Sequence, residues 1–294
     1  MTNRFEPVEF TAARSSDGEI LNALSVDVED YYHAHALASY FTRDTWPGLE
    51  RRVVANTTRI LDALEAKGLH ATFFTLGSVA LEFPDLIRDI VGRGHELASH
   101  GMAHYRASDQ TRDEFFRDVS RAKAVLEDAG GVEVSGYRAP SFSITPDNWW
   151  AFDVLEDAGY RYSSSISTGH LGHGNLQVPA QPFRPGAGHL VECPILSMRF
   201  MGRSVPTGGG YFRLMPYQIF RRSLRAAQRL GALPATFYYH PWEIDPDQPR
   251  AKVGAKTRFR HLVNVRHMEN KVDRLTRDFP WATMRDVFSP AILG

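Results

Sequence analysis

Short apolar runs of strand length recur along the chain, and stretches of helical spacing separate them. Leu21, Leu24, Val26 and Val28 mark a strand over about 21–28, and the β-branched and aromatic run Ala71-Thr72-Phe73-Phe74-Thr75-Leu76 marks a second. Glu96-Leu97-Ala98-Ser99 follows as a third strand, Val134 to Tyr137 as a fourth, and a fifth begins at Tyr160. Between the first two, Val53, Thr57, Ile60, Leu61 and Leu64 share one face of a helix over about 50–66 that Gly68 ends. Pro84 opens the next helix, with Leu86, Ile87, Ile90 and Val91 inward. Thr111 and Glu114 form a capping box ahead of a helix that buries Phe115, Val119, Ala122 and Leu126. Thr145 and Pro146 give an N-cap and N1 pair for a helix reaching about Asp157. The second half is less regular. Residues 167–188 are rich in Gly, His and Pro and read as a long loop walling a cleft. Leu190 starts a strand, Gly208–Gly210 is permissive backbone, and Pro216 opens a helix to about Leu230.

Strand and helix alternating at this spacing predict βαβ units, a parallel sheet and an α/β fold. Apolar strands that end on polar residues point to a distorted (β/α) barrel of fewer than eight regular strands, with its site at the C-terminal strand ends. A polar lead-in over 1–19, a catalytic unit over 20–245 and a C-terminal extension over 246–294, packed on the barrel, complete the expected organisation.

Composition narrows the classes. The chain has 294 residues, 43% hydrophobic, enough for a sizeable core. Lys plus Arg and Asp plus Glu balance at 34 each, so global charge points to neither nucleic acid nor membrane, although about 250–278 is locally basic. Cys193 is the only cysteine, which excludes an intramolecular disulfide. No run reaches the length of a transmembrane helix and the N-terminus lacks an apolar signal core, so the expectation is a cytoplasmic protein.

Three segments carry candidate chemistry. Ser25-Val26-Asp27-Val28-Glu29-Asp30 closes the first strand with three carboxylates, whose clustered charge is costly without a cation. His100 and His104 stand four apart after the third strand, and Gly101 argues for a loop between them. His240 ends Phe237-Tyr238-Tyr239-His240-Pro241-Trp242. Two His and one carboxylate leave open positions on a divalent metal, as catalytic sites require. A spare Asp and a distant His then suit base and acid. Arg138, at the end of the fourth strand, would orient the base, and Trp242, Trp46, Tyr31 and Tyr32 offer faces for sugar rings.

Together, Ser-Val-Asp-Val-Glu-Asp-Tyr-Tyr, Ala-Thr-Phe-Phe-Thr-Leu-Gly, Gly-His-Glu-Leu-Ala-Ser-His-Gly-Met-Ala-His, Gly-Tyr-Arg-Ala-Pro-Ser-Phe-Ser and Tyr-Tyr-His-Pro-Trp-Glu resemble the successive motifs of the polysaccharide deacetylase family. The closer resemblance is to the branch associated with exosortase and exopolysaccharide clusters. It implies removal of N-acetyl groups from an amino-sugar glycan with a divalent metal, most often Zn²⁺, in peripheral association with an exopolysaccharide assembly system. Small-amide hydrolysis and non-catalytic glycan binding are the rival functions. By position, Asp27 resembles the base, Arg138 its partner and His240 the acid. Glu29, His100 and His104 resemble the metal ligands, with Asp30 the alternative to Glu29, and Tyr31, Pro140 and Trp242 resemble substrate contacts. Ser163 stands where relatives often carry Asp, which leaves open the acidic partner of Arg138.

Overall fold

The computed structural model describes residues 5–168, 178–231 and 233–293. Its strands are β1 Glu6–Pro7, β2 Asn22–Val28, β3 Thr72–Thr75, β4 Glu96–Ser99, β5 Gly136–Tyr137, β6 Tyr162–Ser163, β7 Phe183–Arg184, β8 Val191–Glu192, β9 Ser197–Phe200, β10 Arg203–Pro206, β11 Thr236–Tyr239 and β12 Trp281–Ala282. Its helices are α1 Val53–Glu65, α2 Gly77–Glu82, α3 Pro84–Gly92, α4 Arg112–Gly130, α5 Ala151–Asp157, α6 Gly209–Leu214, α7 Tyr217–Gly231, α8 Ala255–Leu262, α9 Val265–Asp278 and α10 Met284–Leu293.

The main sheet runs β1-β7-β8-β6-β5-β4-β3-β2-β11, and β12 also pairs with β2. Neighbours from β8 through β2 to β11 are parallel. β11 lies beside β2, the first of the parallel set, so chain order is cyclic as in a (β/α) barrel. Every residue of β2 is buried, because one of its faces meets helices and the other the barrel interior. Leu24, Val26 and Val28 pack in one cluster with α1 and α7 residues such as Leu61 and Phe220. Ala23, Phe74, Ala98 and Tyr162 pack in another with Met284, Val287 and Phe288 of α10. The N-terminus of α10 is tied inward at the strand starts, Met284 N donating to Thr72 Oγ1 at 2.7 Å and Arg285 N to Glu96 Oε2 at 3.0 Å. Strand starts are thus plugged and strand ends left for chemistry.

Several expectations shift in detail. The segment read as one helix from Pro84 is preceded by a separate short α2, and Pro84 starts α3 at N1. Thr145 caps a 3₁₀ turn, Pro146–Asn148, rather than α5 itself. Within the permissive segment, Gly209 and Gly210 open α6. The lead-in is built into the fold: β1 pairs with β7, and Phe5 packs edge-on against Trp149 and Phe183. The predicted loop 167–188 contains β7, and its part 169–177 lies outside the described residues. The extension adds β12 to the sheet as well as helices around it.

Candidate metal centre and acid–base pair

Asp27 lies in β2 and Glu29 just beyond it, two residues apart and therefore on one strand face. β4 delivers His100, β5 delivers Arg138 and β11 delivers His240, each directly after its last strand residue. His104 returns to the same point through a tight loop. Gly101 takes φ +77° and His104 φ +56°. A Cβ on Gly101 would lie 2.9 Å from Asp118 Oδ2, the oxygen that accepts from Met102 N. Arg43 holds the far side of this loop by donating to the carbonyls of Ala103 and His104 at 2.6 and 2.8 Å.

Glu29, His100 and His104 each offer one ligand atom, all within 4.8 Å of one another, and all three residues are buried. Glu29 Oε2 is 2.8 Å from His104 Nε2 and 3.9 Å from His100 Nε2. That oxygen is buried without an aligned hydrogen-bond partner; the short His104 approach is of ion-pair rather than hydrogen-bond geometry. An orphaned carboxylate oxygen facing two imidazole nitrogens fits a divalent cation. His100 Nδ1 lies 2.8 Å from the carbonyl of Arg138, which directs Nε2 as the free lone pair. Burial lowers the His100 pKa to about 4, so the ring is neutral and ready to ligate. Burial works against ionised Glu29, but His104, His240 and His100 outweigh it and hold the carboxyl well below the usual range.

Asp30, the alternative ligand, is committed elsewhere. Its carboxylate accepts from Tyr31 N, Arg52 N and Val53 N at 3.1, 2.9 and 3.1 Å. It thereby caps both a 3₁₀ turn and α1, whose own N-cap residue makes no side-chain cap bond.

Asp27 Oδ1 accepts from Arg138 Nη1 at 2.6 Å, and Oδ2 lies 3.8 Å from His240 Nε2. Arg138 is fully buried and also donates to Ser25 Oγ, Ser164 O and Ser164 Oγ. Ser163 Oγ donates to Ser165 Oγ, and the nearby carboxylate is Glu192, which pairs with Ser163 across β6 and β8. Opposite Asp27, His240 Nδ1 sits 2.9 Å from Glu243 Oε2, and Glu243 Oε1 accepts from Arg213 Nε at 2.6 Å. Burial alone would lower the His240 pKa, but the Glu243 hydrogen bond and the charges of Glu29, Glu243 and Asp27 raise it to about 9. Burial works against ionised Glu243, but Arg213 and His240 together bring that carboxyl to about 2. Glu243 and Arg213 were not singled out in the sequence; the His-Pro-Trp-Glu spacing, which places Glu243 one 3₁₀ turn after His240, is the signal that points to the first.

A cavity of about 600 Å³ opens over these groups and is lined by Asp27, Glu29, His100, His104, His240 and Trp242, among others. Two of the expected substrate contacts fall outside the lining of this cavity. Tyr31 is fully buried, packed edge-on against Tyr32 and Phe41, and does not line the cavity. Pro140 is buried while its neighbours Ala139 and Ser141 line the wall. Trp242 does line it, but its ring stacks on His240 and His261 and its indole N–H donates to Glu29 Oε1 at 3.1 Å. Its visible work is to hold the site's own side chains.

Residues 36–163 match the family model described as polysaccharide deacetylase, and residues 163–289 one described as a domain of unknown function (DUF3473). A chitooligosaccharide deacetylase of Sinorhizobium fredii is 31% identical over 144 residues, 49% of this chain and 61% of that protein. A peptidoglycan-N-acetylglucosamine deacetylase of Bacillus cereus is 30% identical over 162 residues, 51% of this chain and 56% of that protein. The chain thus spans less than two thirds of the length of these relatives. Among solved structures, a candidate polysaccharide deacetylase from Mycobacterium smegmatis superposes with TM-score 0.60 at 20% identity, covering 96% of this chain and 94% of that one. A family 4 carbohydrate esterase pseudoenzyme from Bacillus anthracis gives 0.51 at 12% identity, covering 91% and 64%. At such identities the structural likeness is one of fold. The chain therefore joins a segment similar to the polysaccharide deacetylases, residues 36–163, to a second segment, residues 163–289, similar to a domain of unassigned function.

Proposed function

We propose that this protein is a divalent-metal-dependent hydrolase that removes acetyl groups from N-acetylated sugar units of a glycan. The observation that carries the reading is the convergence of two differently prepared groups on one ligand set. Asp27 is fixed by Arg138 on one side, and His240 by Glu243 on the other, with Glu29, His100 and His104 between. The relatives named as deacetylases support the substrate class. Two imidazoles and one carboxylate suit Zn²⁺.

A cation held by Glu29, His100 and His104 would polarise the acetyl carbonyl and acidify the attacking water. Asp27, acceptor-only while ionised, takes the proton of that water at Oδ2, the oxygen its Arg138 bond leaves free. Arg138 holds Oδ1 and thereby fixes the carboxylate plane. His240 donates Nδ1–H to the Glu243 carboxylate, its pKa of about 9 keeps a second proton on Nε2, and it delivers that Nε2 proton to the departing sugar amine. The products are acetate and a free amino sugar.

In the same reading the enzyme acts during exopolysaccharide assembly, on the cytoplasmic side and in peripheral association with the assembly system. The match over 163–289 fits that branch, and the free, buried Cys193 is in keeping with a reducing compartment. Among the described residues no helix is long and apolar enough to cross a membrane. The test is acetate release from N-acetylated oligosaccharides and from small amides, with zinc, cobalt or chelator. Metal-dependent release from the oligosaccharides is expected; release from small amides alone would reassign the substrate. Recovery of the native protein outside the cytoplasm would remove the assembly role as stated.

A further inference from the structure

We propose that the glycan bound here is anionic, and that its carboxylate or phosphate group is seated on a cationic wall built by the C-terminal segment at the mouth of the cavity. This rests on the deacetylase reading above and names its substrate class. The two carboxylates lining the cavity, Asp27 and Glu29, lie on its buried floor. The mouth has the opposite sign. α8 places Lys256 and Arg260 along it, both are exposed, and among the described residues neither makes an ion pair. Between Asp247 and Glu269 the sequence carries Arg250, Lys252, Lys256, Arg258, Arg260 and Arg266 and no acidic residue. Although the charges of the whole chain balance, this is a local field of one sign beside the site, which concentrates ligands of the other sign.

The wall is also shaped for a sugar. Phe259 and Tyr211, 59% and 40% exposed, line the same cavity and offer apolar ring faces beside the cations. A ring can lie on such a face while its charged substituent meets Lys256 or Arg260. The wall is held in register with the acid–base pair. Arg213, which grips Glu243, also donates to the carbonyls of Arg260, His261 and Val263 at 3.3, 2.6 and 3.1 Å. One buried guanidinium therefore sets both the carboxylate behind His240 and the end of the helix that carries the cations.

The zinc-loaded full chain is offered three ligands: a neutral N-acetylglucosamine tetramer, a tetramer of equal length with alternating uronic acid, and N-acetylglucosamine linked through pyrophosphate to a short soluble prenyl chain. Binding is read by calorimetry and turnover by acetate release. An anionic ligand should bind about tenfold more tightly than the neutral one at low salt, with the preference shrinking as salt rises. Lys256→Ala with Arg260→Ala should abolish the preference. Arg258→Ala, on the same helix but away from the cavity, should leave it within about twofold. The uronate and pyrophosphate arms identify which anion the wall takes. Equal binding of neutral and anionic ligands, a preference that survives the double variant, or no binding of any of the three overturns the proposal. So does a double variant that loses only its attraction to anionic phospholipid vesicles, since the cations would then serve a membrane. Absence of acetate from every ligand would instead remove the deacetylase reading, and the binding comparison remains readable in that case.

Discussion

Asp27 and Glu29 differ by one methylene and two positions, yet their surroundings assign them different work. Asp27 meets a guanidinium that accounts for one oxygen; Glu29 meets two imidazoles and keeps an orphaned oxygen between them. Asp27→Asn and His240→Ala should therefore retain bound zinc while slowing turnover by about 10²- to 10⁴-fold each, the range for positioned acid–base groups. His100→Ala should lose zinc and activity together. Metal content measured beside kinetics separates the two outcomes, and a zinc-free His240→Ala protein would move that residue into the ligand set. Glu243 acts one step further back, through the His240 ring. Glu243→Gln should keep zinc, lower kcat by about 10- to 100-fold and leave KM nearly unchanged. A rise in KM with kcat intact would mean that Glu243 shapes substrate binding instead. At this scale the sequence showed which residues end strands, since each candidate follows an apolar run. It could not show Arg213 or Asp118, because their partners are 30 and 16 residues away and meet them only in three dimensions.

Among elements, α1 shows how the site and the scaffold share residues. The helix begins at Val53 without a side-chain cap of its own, and Asp30 caps it from 23 positions upstream. Asp30→Ala should cost about 1–2 kcal/mol of stability, the size of a lost N-cap, and should leave zinc binding intact. Urea unfolding with metal analysis checks both, and loss of zinc in a still-folded variant would restore Asp30 as a ligand candidate. The first half of the fold was legible because its strands are short, apolar and separated by well-marked helices. Thr111 with Glu114, for instance, forms the capping box expected of it. The second half was harder to read. β9 and β10 form a hairpin whose alternation is weak, as the pattern of Ser197–Phe200 shows. Helices α8 and α9 are so rich in charge that periodicity alone reads them as surface, although Met268 and Leu275 of α9 are fully buried.

Across the whole molecule, the cyclic strand order was predictable from alternation, but the plug at the barrel's base was not. Nothing in Met284–Leu293 distinguishes a helix that closes a barrel from one that lies on a flank. Glu192, fully buried on the face of β8 opposite Val191 and Cys193, accepts from Ser165 N and Ile166 N through Oε1 while Oε2 has no partner. Burial is the largest influence and raises its pKa to about 7, against the lowering effects of Ser163, the two backbone bonds and Arg138. Cys193, adjacent in the chain, stays a neutral thiol because burial raises it far above its ordinary value. A carboxyl whose folded pKa exceeds its unfolded one holds its proton more firmly in the native state. Its contribution to stability is therefore complete below the unfolded value, near 4.5, and is lost as pH rises through about 7. Asp30 and Asp118, each raised to about 6 by burial, act in the same direction over a lower window. Of these three carboxyls Glu192 is raised furthest. Replacing it with Gln removes the titration while keeping the acceptor oxygen that Ser165 and Ile166 use. Wild type should lose stability relative to Glu192→Gln between pH 4.5 and 8, by an amount of order 3 kcal/mol for a shift of this size. Denaturant unfolding of both proteins across that range reads the difference directly, with the effects of all other groups common to the two curves. Parallel curves would show that Glu192 titrates normally, and that Arg138 and the backbone donors fully offset its burial.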